Sequence, residues 1–316
     1  MWLALASILL SFNLGDFKLT SGQVLEDCRV TYRTYGELNR DKSNVILVPT
    51  WYNGRSEDME RYIGAGRLLD DTKYYIVVVD ALGNGSSSSP SNQRTQRGNS
   101  FPAITIRDMV ETQHVLLTKE LGISRVLGVL GISMGGMQVY EWLSAYPNFM
   151  KKGVPIVGTP QMSERDIRLW TTHFKIFTRA GGGVDVSGGE EGEDADAANA
   201  QKKSMMEEIL GMAQAGADAY KRFNDPFNPL KQFEAIRTHS ITTKGSNSLL
   251  EAGRQIKADF FAVIASKDTA VAPETSIEFC KELNKPYLLL DSECGHSAFK
   301  CDHYTIAPAV AAFLAK

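Results

Sequence analysis

Gly131-Ile132-Ser133-Met134-Gly135-Gly136-Met137 is the stretch from which the rest of the chain is read. It follows the apolar run Val126 to Leu130 and precedes a helical pattern beginning near Gln138, which puts it at a strand-to-helix turn. There Gly-x-Ser-x-Gly reads as a nucleophile elbow, a turn so sharp that only glycine fits beside the serine, whose hydroxyl is lifted above the sheet. The bare motif also occurs by chance in ordinary loops, so the strand before it and the helix after it carry the weight.

Outward from the elbow, Asn44 to Val48, ended by Pro49, Tyr75 to Asp80 and Arg125 to Leu130 are continuous apolar runs. Strands buried on both faces look like this, and they belong to parallel sheets. Helical patterns at Glu57 to Leu69 and Ile106 to Leu121 separate them, while Phe17 to Leu19 and Cys28 to Tyr35 alternate as exposed antiparallel strands do. After the elbow come a helix to about Tyr146, stopped by Pro147, and a short buried strand from Gly153 to Val157. The alternation resumes with Asp259 to Ala265, a helix from Pro273 to Leu283, Tyr287 to Asp291, and a closing helix from about His303. The expected fold class is α/β, with a mostly parallel sheet and helices on both faces. Residues 16–160 and 256–316 build that core. Residues 161–255, mainly helical in composition, form an inserted cap over its carboxyl edge. Within the insert, residues 181–200 are glycine-rich and acidic with no aromatic residue, as expected of a mobile surface loop.

The 316 residues are 43% hydrophobic and 22% charged, an ordinary globular composition. A net charge of -3, a pI near 6.0 and scattered Lys and Arg leave no basic field, so no nucleic acid is expected as a partner. Residues 1–15 form an apolar N-terminal segment too short to span a bilayer as a helix. The segment resembles the h-region of a signal peptide, with an Ala4-Leu5-Ala6 cleavage pattern, although no Lys or Arg precedes it. Cys28, Cys280, Cys294 and Cys301 lack zinc-site spacing, and no metal is expected. Cys294 and Cys301 are a candidate pair if the chain is exported.

A serine hydroxyl is a poor nucleophile at neutral pH and needs a base, which in turn needs an acid to orient it. Asp268 follows the strand Phe260 to Ala265, and His296 follows the strand Tyr287 to Leu290. Both fall in loops at carboxyl ends of strands, where open α/β sheets place their ligands. The order Ser133, Asp268, His296 is that of α/β-hydrolases. Asp291 is the rival acid, but it ends the same strand that precedes the histidine. His114, His173, His239 and His303 read as structural or solvated. For the oxyanion, Met134 is the expected first backbone donor, and Tyr52, with Trp51 next, the second. Ser297, Arg55 and Asn53 are candidate substrate contacts; Arg55, Arg94, Arg97 and Arg168 are each able to hold a carboxylate by a bidentate contact and otherwise read as surface arginines. Gly83-Asn84-Gly85 with Ser86 to Ser89 lacks the Gly-Lys-Ser/Thr of a phosphate loop and reads as a turn lining the pocket.

Several segments together resemble the homoserine O-acetyltransferase family of the α/β-hydrolase superfamily. They are Leu19-Thr20-Ser21-Gly22, Tyr32-Arg33-Thr34-Tyr35-Gly36, Leu82-Gly83-Asn84-Gly85, Phe101-Pro102 with Thr105-Ile106-Arg107-Asp108, the elbow through Gln138 with Glu141-Trp142, and Gly295-His296-Ser297-Ala298-Phe299. The resemblance covers residues 16–160 and 256–316 and is poor in the cap. It implies a ping-pong reaction in which the serine takes an acyl group from acyl-CoA and passes it to an alcohol, with nucleophile, acid and base at Ser133, Asp268 and His296. It also implies a homodimer formed through the cap. Two departures stand out. Homoserine acetyltransferases carry an aspartate directly after the histidine, where it meets the substrate amine, and this chain has Ser297. Pro49-Thr50-Trp51-Tyr52-Asn53-Gly54 likewise replaces the usual His-Ala-Leu-Thr-Gly.

The expected function is a serine-nucleophile acyl-transfer enzyme acting on a small ester, thioester or alcohol. It needs no cofactor, and acyl-CoA enters only as a co-substrate. The narrower alternative is homoserine O-acetyltransferase proper, of methionine biosynthesis. An alternative from another class is a hydrolase-fold protein that binds a ligand without turnover.

Overall fold

The computed structural model describes residues 7–181, with backbone alone for 173–181, together with residues 225–242, 246 and 248–316. Their apolar runs form one nine-stranded sheet. β1 (Leu10–Lys18) pairs antiparallel with β2 (Val24–Tyr35), which pairs antiparallel with β4 (Tyr75–Val79). From there the order runs through β3 (Val45–Pro49), β5 (Val126–Ile132), β6 (Met150–Ile156), β8 (Ala262–Ala265) and β9 (Tyr287–Leu290), all parallel. The two-residue β7 (Asp259–Phe260) also pairs with β6, so the single strand expected over Asp259 to Ala265 is split in two.

Successive side chains of a strand point to opposite faces, so each central strand feeds two cores. Val45 and Leu47 join one with Met109, Val139 and Phe279, while Ile46 and Val48 join the other with Ile306, Val310 and Leu314. The helices behind those residues are α1 (Ile106–Val115), α2 (Met134–Ala145) and α6 (Pro273–Glu282) on the first face, and α8 (His303–Ala315) on the second. Between β6 and β7 lie α3 (Glu164–Gly181), α4 (Phe227–Arg237) and α5 (Leu249–Arg254). A short α7 (Ala298–Cys301) precedes α8.

Two expected helices need correction, and part of the apolar N-terminal segment takes part in the sheet. Leu10 to Leu14, assigned to the apolar N-terminal segment, form the first half of β1, with Phe12, Leu14 and Phe17 packed against the core. The pattern over Glu57 to Leu69 yields only a 3-10 helix at Ser56–Tyr62, because Gly64 and Gly66 adopt positive φ values of 138° and 73° that a helix cannot accommodate. The helix expected over Ile106 to Leu121 ends at Val115 and continues as a π turn, Leu116–Glu120. Of the loop expected at 181–200, Gly181 ends α3 and the remainder lies outside the described residues, as do Met1 to Ala6. No helix among the described residues is long and apolar enough to cross a membrane.

Candidate active site

Ser133 sits between β5 and α2 with φ 56° and ψ -121°, a region that costs a non-glycine residue of order 1–3 kcal/mol. Two hydrogen bonds hold it there: Ser133 N donates to Ile156 O on β6 at 2.9 Å, and Met137 N donates to Ser133 O at 3.0 Å. The flanking glycines are required by close approach. A Cβ on Gly131 would stand 2.2 Å from the Gly135 carbonyl oxygen, and one on Gly135 would stand 2.6 Å from the Pro49 carbonyl oxygen. Both obstacles are backbone atoms, which no rotamer change relieves.

The elbow lifts Ser133 Oγ to 2.8 Å from His296 Nε2, and His296 Nδ1 lies 2.7 Å from Asp268 Oδ2. Asp268 is 5% exposed, and its Oδ1 accepts from the Ala270 and Val271 N–H groups, each at 2.9 Å. A carboxylate only accepts, so Nδ1 carries the proton and Nε2 is left to accept from the serine. Burial works to lower the His296 pKa, but the charge and hydrogen bond of Asp268 outweigh it, and the net position is above the ordinary 6.5. The rival Asp291 has its side chain 79% exposed and pairs with Lys267 at 2.9 Å, away from the imidazole. Cys294 and Cys301 form a disulfide that brackets His296.

Because this base must be neutral to accept the serine proton, the acid limb of the rate profile reports its raised pKa. We expect kcat/KM for a neutral ester to rise with pH through an inflection above 6.5, falling about tenfold per pH unit below it. An inflection below 6.5 would mean that Asp268 does not hold the imidazole as described.

Met134 opens α2, and its N–H, like others in a first helical turn, has no acceptor inside the helix. The facing loop after β3 is tied down on both sides of Tyr52. Thr50 O accepts from Gln138 Nε2 at 3.0 Å, Asn53 N donates to Gln232 Oε1 at 2.8 Å, and Ser56 N donates to Asp80 Oδ1 at 2.7 Å. Asp80, 1% exposed, also accepts from Thr31 Oγ1, Ser56 Oγ and Asn84 Nδ2, each at 2.9 Å. Asn84 further donates to Gly54 O, so the Gly83-Asn84-Gly85 turn braces this loop from behind. The Tyr52 ring meets Trp170 of α3 edge-on at 5.6 Å, and Trp51 packs near Tyr62 and Phe299.

The remaining candidates divide. Ser297 follows His296, ends the 3-10 turn Gly295–Ser297 and immediately precedes α7, and Asn53, at φ 56° in the loop after β3, has a buried Oδ1 with no hydrogen-bond partner among the described residues. Arg55 turns toward Glu57 at 4.0 Å, and exposed Arg168 pairs with Glu164 at 3.4 Å. Arg94 lines a separate cleft of about 310 Å³ with Asn13, Asp27 and Arg29, and no described contact brings it to Ser133. His239 is buried, bonds Thr159 O at 3.1 Å and is pushed down to about 4 by burial, while His114 stacks on Tyr146. The His173 side chain lies outside the described residues.

Asp80, Gln138, Gln232 and Asp166 escape the sequence reading. A carboxylate ending the apolar run Tyr75 to Asp80 is a signal for the first. Gln232, which joins Asn53 N to Leu82 O across 179 and 150 residues, carries no local one.

Comparison with known proteins agrees with this fold. Residues 44–300 match the family described as the alpha/beta hydrolase fold. The ethyl acetate hydrolase of Pseudomonas veronii is 47% identical over 156 residues, 49% of this chain and 45% of that protein. The chain thus matches less than half the length of that relative. The homoserine O-acetyltransferase of Geotalea daltonii is 29% identical over 354 residues, covering 95% of each. Among solved structures, the acetyl esterase MekB superposes with a TM-score of 0.79 at 30% identity, covering 98% of this chain and 96% of its own.

Proposed function

The chain belongs to the alpha/beta hydrolase fold family, and from that premise we propose that it is a serine-nucleophile acyl-transfer enzyme whose main acceptor is water, an ester hydrolase of short acyl groups. The observation that carries this reading is the unbroken hydrogen-bonded chain from Ser133 Oγ through His296 to Asp268, launched from a serine in a strained turn. The names of the relatives, ethyl acetate hydrolase and acetyl esterase, support the acyl size and the acceptor. Ser297, standing where the resemblance calls for an amine-binding aspartate, supports an acceptor other than homoserine.

Ser133 Oγ attacks the ester carbonyl while its proton passes to His296 Nε2, and Asp268 stabilises the resulting imidazolium through Nδ1–H. The oxyanion of the tetrahedral intermediate sits against the N–H groups of Met134 and Tyr52, donors held in place before the substrate arrives. Collapse breaks the bond to the leaving alkoxide, which takes the proton from Nε2. Water then repeats the sequence on the acyl-serine and releases the acid. The helices between β6 and β7 serve as a cap over the site, Trp170 of α3 meeting Tyr52 edge-on.

A second reading, homoserine O-acetyltransferase, is favoured by the relative that aligns with 95% of the chain. Purified protein assayed with acetyl-CoA, with and without homoserine, beside a series of p-nitrophenyl esters separates the two. Ester turnover without homoserine-dependent release of CoA is the expected outcome, and CoA release that requires homoserine would establish the second reading instead.

A further inference from the structure

Beyond the triad itself, and resting on the triad reading above, we infer that Asp166 is the positioning residue through which helix α3 sets the acid loop beneath His296. The acid loop runs from Asp268 to Ala272, and α3 grips it at three backbone atoms. Arg165 Nη2 donates to Thr269 O at 3.5 Å, Trp170 Nε1 donates to Ala270 O at 2.7 Å, and both carboxylate oxygens of Asp166 accept from Ala272 N at 3.1 and 3.0 Å.

Of the three, Asp166 is the one placed to matter for catalysis. It is fully buried, whereas the Arg165 side chain is half exposed. Its partner N–H immediately follows Val271, whose own N–H is one of the two that orient Asp268 Oδ1. Pulling Ala272 toward α3 therefore fixes the turn whose amides aim the carboxylate at His296 Nδ1. The Asp166 charge also acts on the imidazole in the direction that favours its protonated form, the smallest of the influences on it and in the same sense as Asp268. The groups acting on His296 are Asp268 from the loop after β8, Asp166 from α3 and Lys300 from α7, and the first two oppose the third. Asp166 is itself flanked by Arg165 at 3.3 Å, and burial raises its pKa.

Two variants separate the mechanical role from the electrostatic one. Asp166→Asn keeps an acceptor for Ala272 N and removes the charge, so the acid limb of kcat/KM should move to lower pH while kcat falls less than about tenfold. Asp166→Ala removes both, and kcat should fall by about 10²-fold with KM little changed. The His296 imidazole pKa, read by NMR on histidine-labelled protein without substrate, should drop in both. Unchanged kcat, acid limb and imidazole titration in both variants, with only the melting temperature lowered, would overturn the inference. If the parent protein turned over neither an ester nor acetyl-CoA with homoserine, the triad reading would fall, while the NMR titration would still decide whether Asp166 acts on His296.

Discussion

A Ser133→Ala variant folds as the parent does and loses ester turnover by about 10⁶-fold, the scale on which removing the nucleophile of a serine triad acts. The substitution deletes one oxygen and leaves the backbone bonds of the elbow intact, namely Ser133 N to Ile156 O and Met137 N to Ser133 O. Alanine meets the same positive φ that serine does, so stability is expected to change little. What remains is the rate supplied by binding and by the proposed oxyanion donors, the Met134 and Tyr52 N–H groups, acting on direct attack by water. Melting temperature beside kcat makes the comparison, and a folded variant keeping more than a few per cent of turnover would remove Ser133 from the mechanism.

Asp268→Asn is the next largest effect, about 10⁴-fold in kcat, while Asp291→Asn stays within twofold. The reason is directional. Oδ1 of residue 268 is held by two backbone N–H donors, so an asparagine keeps its oxygen there and turns its amide NH₂ toward His296 Nδ1. Nδ1 must then accept, Nε2 must carry the proton, and the serine faces a donor where it needs a base. Asp291 already spends its charge on Lys267 in solvent. Steady-state kinetics of the two variants at the same pH test the assignment, and the reverse ranking would return the role to Asp291.

The parts of the molecule that were legible in the sequence are those whose physics is local. Val45–Pro49, Tyr75–Val79 and Val126–Ile132 announce themselves because strands buried on both faces admit only apolar residues. Ser133 is legible because Gly131 and Gly135 answer contacts made within the turn and with the adjoining strand. His296 follows from its place after β9. Less legible is whatever depends on distant backbone. Gln232 and Asp166 reach segments far away in the chain and carry no pattern of their own, so only the folded geometry reveals that helices between β6 and β7 hold both the loop after β3 and the loop after β8. Arg55, a candidate for substrate on residue type alone, has the Glu57 carboxylate at 4.0 Å, a neighbour that residue type does not announce.

The central claim is a covalent acyl-enzyme on Ser133, and rapid-quench mass spectrometry during turnover of a p-nitrophenyl acetate tests it most directly. The expected result is an acetyl increment on the peptide containing Ser133, absent in Ser133→Ala and accumulating in step with the burst of p-nitrophenol. A burst-free reaction with no increment on that peptide, in protein that still turns over the ester, would contradict it.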